Sequence, residues 1–223
     1  WGRQDGRIRN SRVLREAVPF VVATYNTAIS NTTTMTLSMG GDYGKRGTSS
    51  LGWYDAMTPR PDNYRYMPSY FTDFSLSDAV AERWRAGDER YTQINWNDLY
   101  RINALSENGA AYTLDERVER IAQGEISWRM RSEFGQNLTL SYGLRGSVSS
   151  SRNYKRMLDM LGADEFIDLD YYLLDDDTYS NMLQNDLRHP DRRISRGDRF
   201  SYDDTITTAN ITAEVEFEYR MDR

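Results

Sequence analysis

Between residues 138 and 148 the chain reads Leu-Thr-Leu-Ser-Tyr-Gly-Leu-Arg-Gly-Ser-Val. Leu138, Leu140, Tyr142, Leu144 and Val148 share one parity. Thr139, Ser141, Gly143, Arg145 and Ser147 share the other. Successive side chains of a strand point to opposite faces, so this stretch has one apolar side and one polar side. The same alternation recurs elsewhere, and the connections between such stretches are by turns very short and very long. Turn formers fill residues 30–33 and 135–137, whereas 47–109 and 151–198 separate other strands. A soluble sheet has no reason to gather its short turns at one end and its long loops at the other. A sheet that crosses an outer membrane has one: short periplasmic turns, long extracellular loops, and residues that alternate between lipid and lumen.

The alternation predicts strands at about 13–29, 34–46, 110–134, 138–150 and 199–222. The first is weakly patterned, and Pro19 inside it lacks a ladder donor, which suggests an edge or a bulge. In the second, Met35, Leu37 and Met39 oppose Thr36 and Ser38. In the third, Ile126, Trp128, Met130 and Phe134 oppose Glu125, Arg129, Arg131 and Glu133. In the last, Ile211, Ala213, Val215, Phe217 and Tyr219 oppose Glu214, Glu216, Glu218 and Arg220. Charges repeated on one face are costly against lipid and natural towards water. The fold expected is all-β: an antiparallel transmembrane β-barrel segment of about five strands, with long extracellular loops at about 47–109 and 151–198 carrying short α-helices. Five strands cannot close a barrel, since single-chain bacterial barrels use an even number from eight upwards. The segment would then be part of a larger wall, or several copies would pair their edges.

Three stretches inside the loops have helical character. Ser75 to Gly87 carries a stripe at Leu76, Val80 and Trp84, a capping-box-like start at Ser75 and Asp78, and a glycine stop. Trp96, Leu99 and Tyr100 suggest a second short helix. Tyr154, Met157, Leu158 and Leu161 suggest a third at 154–161, with Gly162 as its stop.

Composition narrows the function classes. Aromatic residues make up 13% of a chain whose mean hydropathy is −0.77. That combination suits a barrel with aromatic girdles and wet loops, and it suits a polar surface-exposed binding or scaffold β domain equally well. Cysteine is absent, so neither a disulfide framework nor a thiolate metal site is available. The longest apolar run, Ala17 to Ala23, falls far short of the roughly 20 residues a spanning helix needs. The net charge of −6 argues against a nucleic-acid surface.

Gly40, Gly41 and Gly44 lack the spacing of a phosphate-binding loop. His189 is the single histidine and sits beside Pro190 in a polar loop with no nucleophile elbow, so no catalytic residue is expected. The acidic run Asp164, Glu165, Asp168, Asp170, Asp175, Asp176 and Asp177 offers oxygen ligands but no EF-hand spacing. It reads as a solvated loop, and no metal or other cofactor is expected. The strongest ligand-binding candidates are Arg60, Tyr64, Arg65, Tyr66 and Tyr70, where aromatics and arginines interleave between prolines 59, 61 and 68. Such side chains give rigid contact area and stacking. They could equally form a self-packed core that holds the loop in one shape.

Several blocks in order resemble the TonB-dependent outer-membrane receptors of the Bacteroidetes. The first is Trp53-Tyr54-Asp55-Ala56, followed by Pro59-Arg60-Pro61-Asp62-Asn63-Tyr64-Arg65-Tyr66-Met67-Pro68-Ser69-Tyr70. Next come Gln93-Ile94-Asn95-Trp96 with Leu99-Tyr100, and Tyr154-Lys155 leading to Leu161-Gly162-Ala163-Asp164. The last joins Gln184-Asn185-Asp186-Leu187, Pro190 and Arg192 to Gly197-Asp198-Arg199-Phe200-Ser201-Tyr202. The resemblance implies a barrel-wall segment of a receptor in the cell outer membrane, in contact with lipid and lipopolysaccharide. Such a receptor imports a small-molecule or oligomeric nutrient ligand such as a siderophore, glycan or peptide. Coupling to TonB would run through regions outside these residues, because neither plug nor TonB-contacting sequence is among them.

Overall fold

A computed structural model of the chain describes residues 1–173 and 182–221. Its strands come first as a group: β1 (Gly2–Gln4), β2 (Arg7–Arg9), β3 (Leu14–Ala17), β4 (Phe20–Ser30) and β5 (Thr33–Trp53). Three helices follow, α1 (Phe74–Arg85), α2 (Glu89–Thr92) and α3 (Trp96–Ala104). Then come β6 (Tyr112–Phe134), β7 (Leu138–Asp159), β8 (Phe166–Ile167), β9 (Arg193–Ile194) and β10 (Arg199–Tyr219). Two small antiparallel pairs, β1 with β2 and β8 with β9, accompany a six-stranded sheet in the order β10-β7-β6-β5-β3, in which β4 also pairs with β5. The chain divides into two compact units.

The sheet unit comprises Arg15–Arg46, Val118–Asn153 and Asp204–Arg223. Within it β4 and β5 run antiparallel, with Ala23 opposite Met39, Tyr25 opposite Leu37 and Thr27 opposite Met35. Tyr25, Met39, Ile126, Leu144, Val215 and Phe217 are each more than half exposed. Trp128 and Tyr142 meet edge to face with ring centroids 5.7 Å apart. The opposite parity carries charge pairs. Arg129 Nε donates to Glu214 Oε1 at 2.9 Å, Arg145 lies 3.4 Å from Glu125, and Arg131 lies 3.8 Å from Glu218. Arg129 on β6 reaches Glu214 on β10 past β7 because Gly143 stands between them. A Cβ there would sit 2.8 Å from the Trp128 carbonyl and 3.3 Å from the Glu214 carboxylate. Exposed pairs of this kind contribute little stability, so their effect is on facing and register.

The first predicted strand, 13–29, is not continuous. It is broken between β3 and β4 at Val18-Pro19, where a proline cannot donate to the ladder. The break brings the backbone of Ala17 and Val18 against Gly44. A Cβ at that position would lie 2.1 Å from the Ala17 carbonyl, so only glycine fits.

The loop unit comprises Trp1–Leu14, Gly47–Arg117 and Tyr154–Asp203. It has two apolar cores. One gathers Leu51, Ile94, Trp96, Leu99, Tyr112 and Leu161, and the other Ala110, Met157, Phe166, Ile194 and Phe200. Helix α1 starts at an Asp73 cap, whose carboxylate accepts from the Ser75 and Leu76 amides. The start therefore lies earlier than the Ser75 of the capping-box expectation, because Asp73 offers the orphan amides a charged acceptor. Its stripe is only partly covered: α1 packs on the 3-10 turn at Pro68–Tyr70 and on α2, while Leu76 stays exposed. Helix α3 realises the second expected helix, capped by Asn95.

The helix expected at 154–161 is absent. Strand β7 continues to Asp159, and Leu161 and Gly162 then turn with φ of 50° and 91°. Tyr154, Met157 and Leu161 are all buried, yet Tyr154 and Met157 have opposite parity in the strand. A strand covered on both faces loses its alternation, and here the surviving apolar positions fall at a helical spacing.

Asn103, at the end of α3, holds the loop unit together. Its amide nitrogen donates to the carbonyls of Tyr112 at 2.7 Å and Met160 at 2.7 Å, and its oxygen accepts from the Tyr112 amide at 2.9 Å. Replacing it by leucine leaves these buried groups unpaired, each at a cost of about 1–3 kcal/mol. Urea unfolding followed by tryptophan fluorescence should show Asn103→Leu destabilised by at least about 3 kcal/mol. A loss below about 1 kcal/mol would mean that water or neighbouring groups replace the amide.

Candidate functional site

The five residues expected to bind ligand divide into three environments. Tyr64, Arg65 and Tyr70 form one exposed cluster. Tyr70 meets Tyr64 edge-on at 5.6 Å and Phe71 at 5.8 Å, and Arg65 Nε donates to Tyr64 Oη at 3.2 Å. Asn63 starts the 3-10 turn Tyr64–Tyr66 by accepting from the Arg65 amide at 3.1 Å. Pro68 opens the next turn, where its fixed φ suits the first helical position. Tyr66 turns inward instead. Half-buried, it donates its hydroxyl to the Thr58 carbonyl at 2.9 Å and pins the loop to itself. Arg60 lies in a third place and forks onto Asp62, with Nε–Oδ1 at 3.2 Å and Nη2–Oδ2 at 3.0 Å.

Arg60 borders a cleft of about 420 Å³ within the loop unit. Its other walls include Trp1, Arg12, Trp53 and Arg117. Hydrogen bonds from Arg60 hold the Asp62 carboxyl below the usual aspartate range. Burial opposes them, and the charge of Arg12 adds to the lowering. Sequence reasoning singled out Arg60 but neither Arg12 nor Arg117. No local pattern marks them, because they reach the cleft only through the tertiary fold.

Two charged groups are built into the interior of the same unit. Lys155 Nζ lies 2.9 Å from Asp115, donates to Tyr54 Oη at 3.0 Å and sits 4.7 Å from the centre of the Phe200 ring. Burial alone would lower the lysine, but Tyr54 and Asp115 outweigh it and raise its pKa. Tyr171, packed on Tyr54 and Phe166, is pushed up to about 12, mainly by burial. Lys155, Tyr54 and Tyr171 therefore keep their protons at neutral pH, and the cluster serves as a polar brace. Arg9 forms a second brace, donating to Asp159 at 2.8 Å with its guanidinium 4.2 Å above the Trp96 ring. Tyr100 donates to the same carboxylate at 3.0 Å.

His189 is exposed and pairs with Asp186 at 2.9 Å inside its own turn. Asp168 is buried, accepting from Asn185 at 3.0 Å and from the Ser201 amide at 3.1 Å, so it ties β10 to the preceding loop. Asp175, Asp176 and Asp177 lie outside the described residues. Among those described, no group of three or more His, Cys, Asp or Glu side chains is arranged to hold a metal ion. No family model matches this sequence, and no curated protein or solved structure does.

The Arg9 brace is sensitive to pH in a defined direction. Burial pushes the Asp159 carboxyl up, but the Leu161 amide, Arg9 and Tyr100 together hold it below its ordinary value of 3.8. A depressed folded pKa contributes stability that is present above the unfolded value and lost as pH falls through the folded one. The urea midpoint of the wild-type chain should therefore drop below about pH 4 more steeply than that of Asp159→Asn. Parallel pH profiles would show that this carboxylate contributes nothing to the acid lability of the unit.

Proposed function

We propose that the chain is a wall segment of an outer-membrane TonB-dependent receptor, its long sheet strands crossing the membrane, importing a nutrient ligand. The observation that carries this reading is the sorting of the sheet. One parity exposes Tyr25, Met39, Ile126, Leu144, Val215 and Phe217, while the other bears the Arg129–Glu214, Arg145–Glu125 and Arg131–Glu218 pairs. Monomeric soluble proteins rarely expose an apolar face on this scale. A bilayer on one side and a watery lumen on the other meet both demands at once. β5, β6 and β7 exceed the roughly 9–11 residues that cross a bilayer, which fits strands that run on into an outer loop region. The ordered resemblance of the loop blocks supplies the receptor part of the proposal, and with it a route to TonB through regions outside these residues. The aromatic cluster of Tyr64, Arg65 and Tyr70, exposed on loops braced by two cores, suits a role in ligand capture.

Facing is the point to test. A charge placed towards lipid near mid-bilayer costs about 2–4 kcal/mol, and one placed towards the lumen costs little. In the protein expressed and fractionated with its membrane, Leu140→Arg should lower the membrane-inserted fraction several-fold, while Ser141→Arg should leave it near wild type. Equal tolerance of the two, or recovery of the wild-type chain as a detergent-independent soluble monomer, would favour a surface binding domain without a transport role.

A further inference from the structure

The cleft bordered by Arg60 has a composition at odds with the rest of the chain. Three guanidiniums, from Arg12, Arg60 and Arg117, line it against a single carboxylate, Asp62. The local formal balance is therefore +2, in a protein whose net charge is −6. Arg60 is committed to Asp62. Neither Arg12 nor Arg117 has an ion pair among the described residues, whereas Arg3, Arg9, Arg83, Arg90 and Arg101 of the same unit are paired. Gathering like charges around a cavity opposes folding unless something compensates it. Trp1 and Trp53 also line the space, whose volume of about 420 Å³ is that of a small-molecule site.

We infer that this cleft binds a small organic oxyanion: a carboxylate- or phosphate-bearing molecule whose flat body lies against Trp53 and Trp1 while Arg12 and Arg117 take its charged groups. A guanidinium fork matches the two oxygens of a carboxylate or phosphate, and an indole supplies apolar contact without a competing acceptor. Asp62 has a positioning part. It fixes Arg60 in the wall, and its negative charge is outweighed by the three arginines around it. The inference deepens the receptor reading by naming the class of ligand, and rests on it for its biological meaning. The binding itself depends only on residues of the loop unit.

Calorimetric titration of the full chain in neutral detergent tests it, with phthalate as the carboxylate probe, inorganic phosphate as the phosphate probe and benzamide as the uncharged control. Saturable binding of phthalate or phosphate is expected, weakening as salt rises, with no heat from benzamide. Which of the two binds more tightly tells a carboxylate ligand from a phosphorylated one. Arg12→Gln and Arg117→Gln should each weaken binding about tenfold or more, with unchanged thermal midpoints, and Trp53→Leu should weaken phthalate more than phosphate. Arg83→Gln, on α1 and outside the cleft, should bind as wild type does. No saturable binding of either anion, or binding that survives the Arg12→Gln/Arg117→Gln double substitution, would overturn the assignment. Neither result would touch the facing of the sheet, which the Leu140 and Ser141 substitutions read separately.

Discussion

Alternation on a single layer of sheet is the constraint from which the other features of the sheet unit follow. Because the side-chain period of a strand is two, a slip of one residue would turn each side chain of the slipped strand to the other face. The β4–β5 register, with Tyr25 opposite Leu37 and Ala23 opposite Met39, keeps the apolar set in line. The charges on the other parity reinforce that choice. Arg129 finds Glu214 only if β6, β7 and β10 are in register, and only if Gly143 leaves the path between them open. The pairs are too exposed to contribute much stability, but a slipped register would put arginine among Ile126, Leu144 and Val215. Such a sheet has a strong preference for one facing and little stability of its own until both faces are satisfied.

The loop unit solves the opposite problem. Its chain arrives from three separated stretches of sequence, and it has to hold long connections in one shape. Hydrophobic burial supplies the two cores, but the specificity comes from polar side chains that close backbone valences. Asn103 joins the end of α3 to the start of β6 and the end of β7, and Asp168 joins a loop to β10. The buried Lys155–Asp115 pair and the half-buried Arg9–Asp159 pair add charge to the unit, and breaking one partner of the buried pair costs far more than the intact pair contributes. Polar closure of this kind holds the long connections of the unit in one shape.

Legibility in the sequence follows the physical environment of each stretch. Residues 138–148 and 211–219 belong to the sheet unit and alternate apolar with polar side chains, so the period of two marks them clearly. Where strands enter the loop unit both faces are covered, and there the reading failed: β7 at Tyr154–Asp159 looked helical, and β5 reached Trp53, beyond the boundary expected near residue 46. Helix α1 was visible from its stripe and glycine stop, though its cap proved to be Asp73. The β1–β2 hairpin was missed despite an Asp5-Gly6 turn with φ of 48° and 77°, because its strands are too short to show a period. Among the candidate binding residues, the sequence could collect those that are neighbours along the chain. It could not separate the inward Tyr66 from the outward Tyr64, nor bring Arg12 and Arg117 to Arg60, since both depend on how distant segments pack.

The same limit explains why composition misleads about ligand class. A net charge of −6 suggests a surface that repels anions. Charge acts over about a Debye length, roughly 8–10 Å at physiological salt, so a ligand in a cleft responds to the few groups around it and hardly to the total. The acidic residues that dominate the sum are largely spent elsewhere: Asp98 and Asp88 on nearby arginines, Asp73 on the start of α1, Asp168 on backbone and amide groups. What remains around Arg12, Arg60 and Arg117 is a local excess of positive charge, bordered by Trp1 and Trp53. Arg12 and Arg117, without an ion pair among the described residues, are the groups of this cleft with charge left to offer a partner.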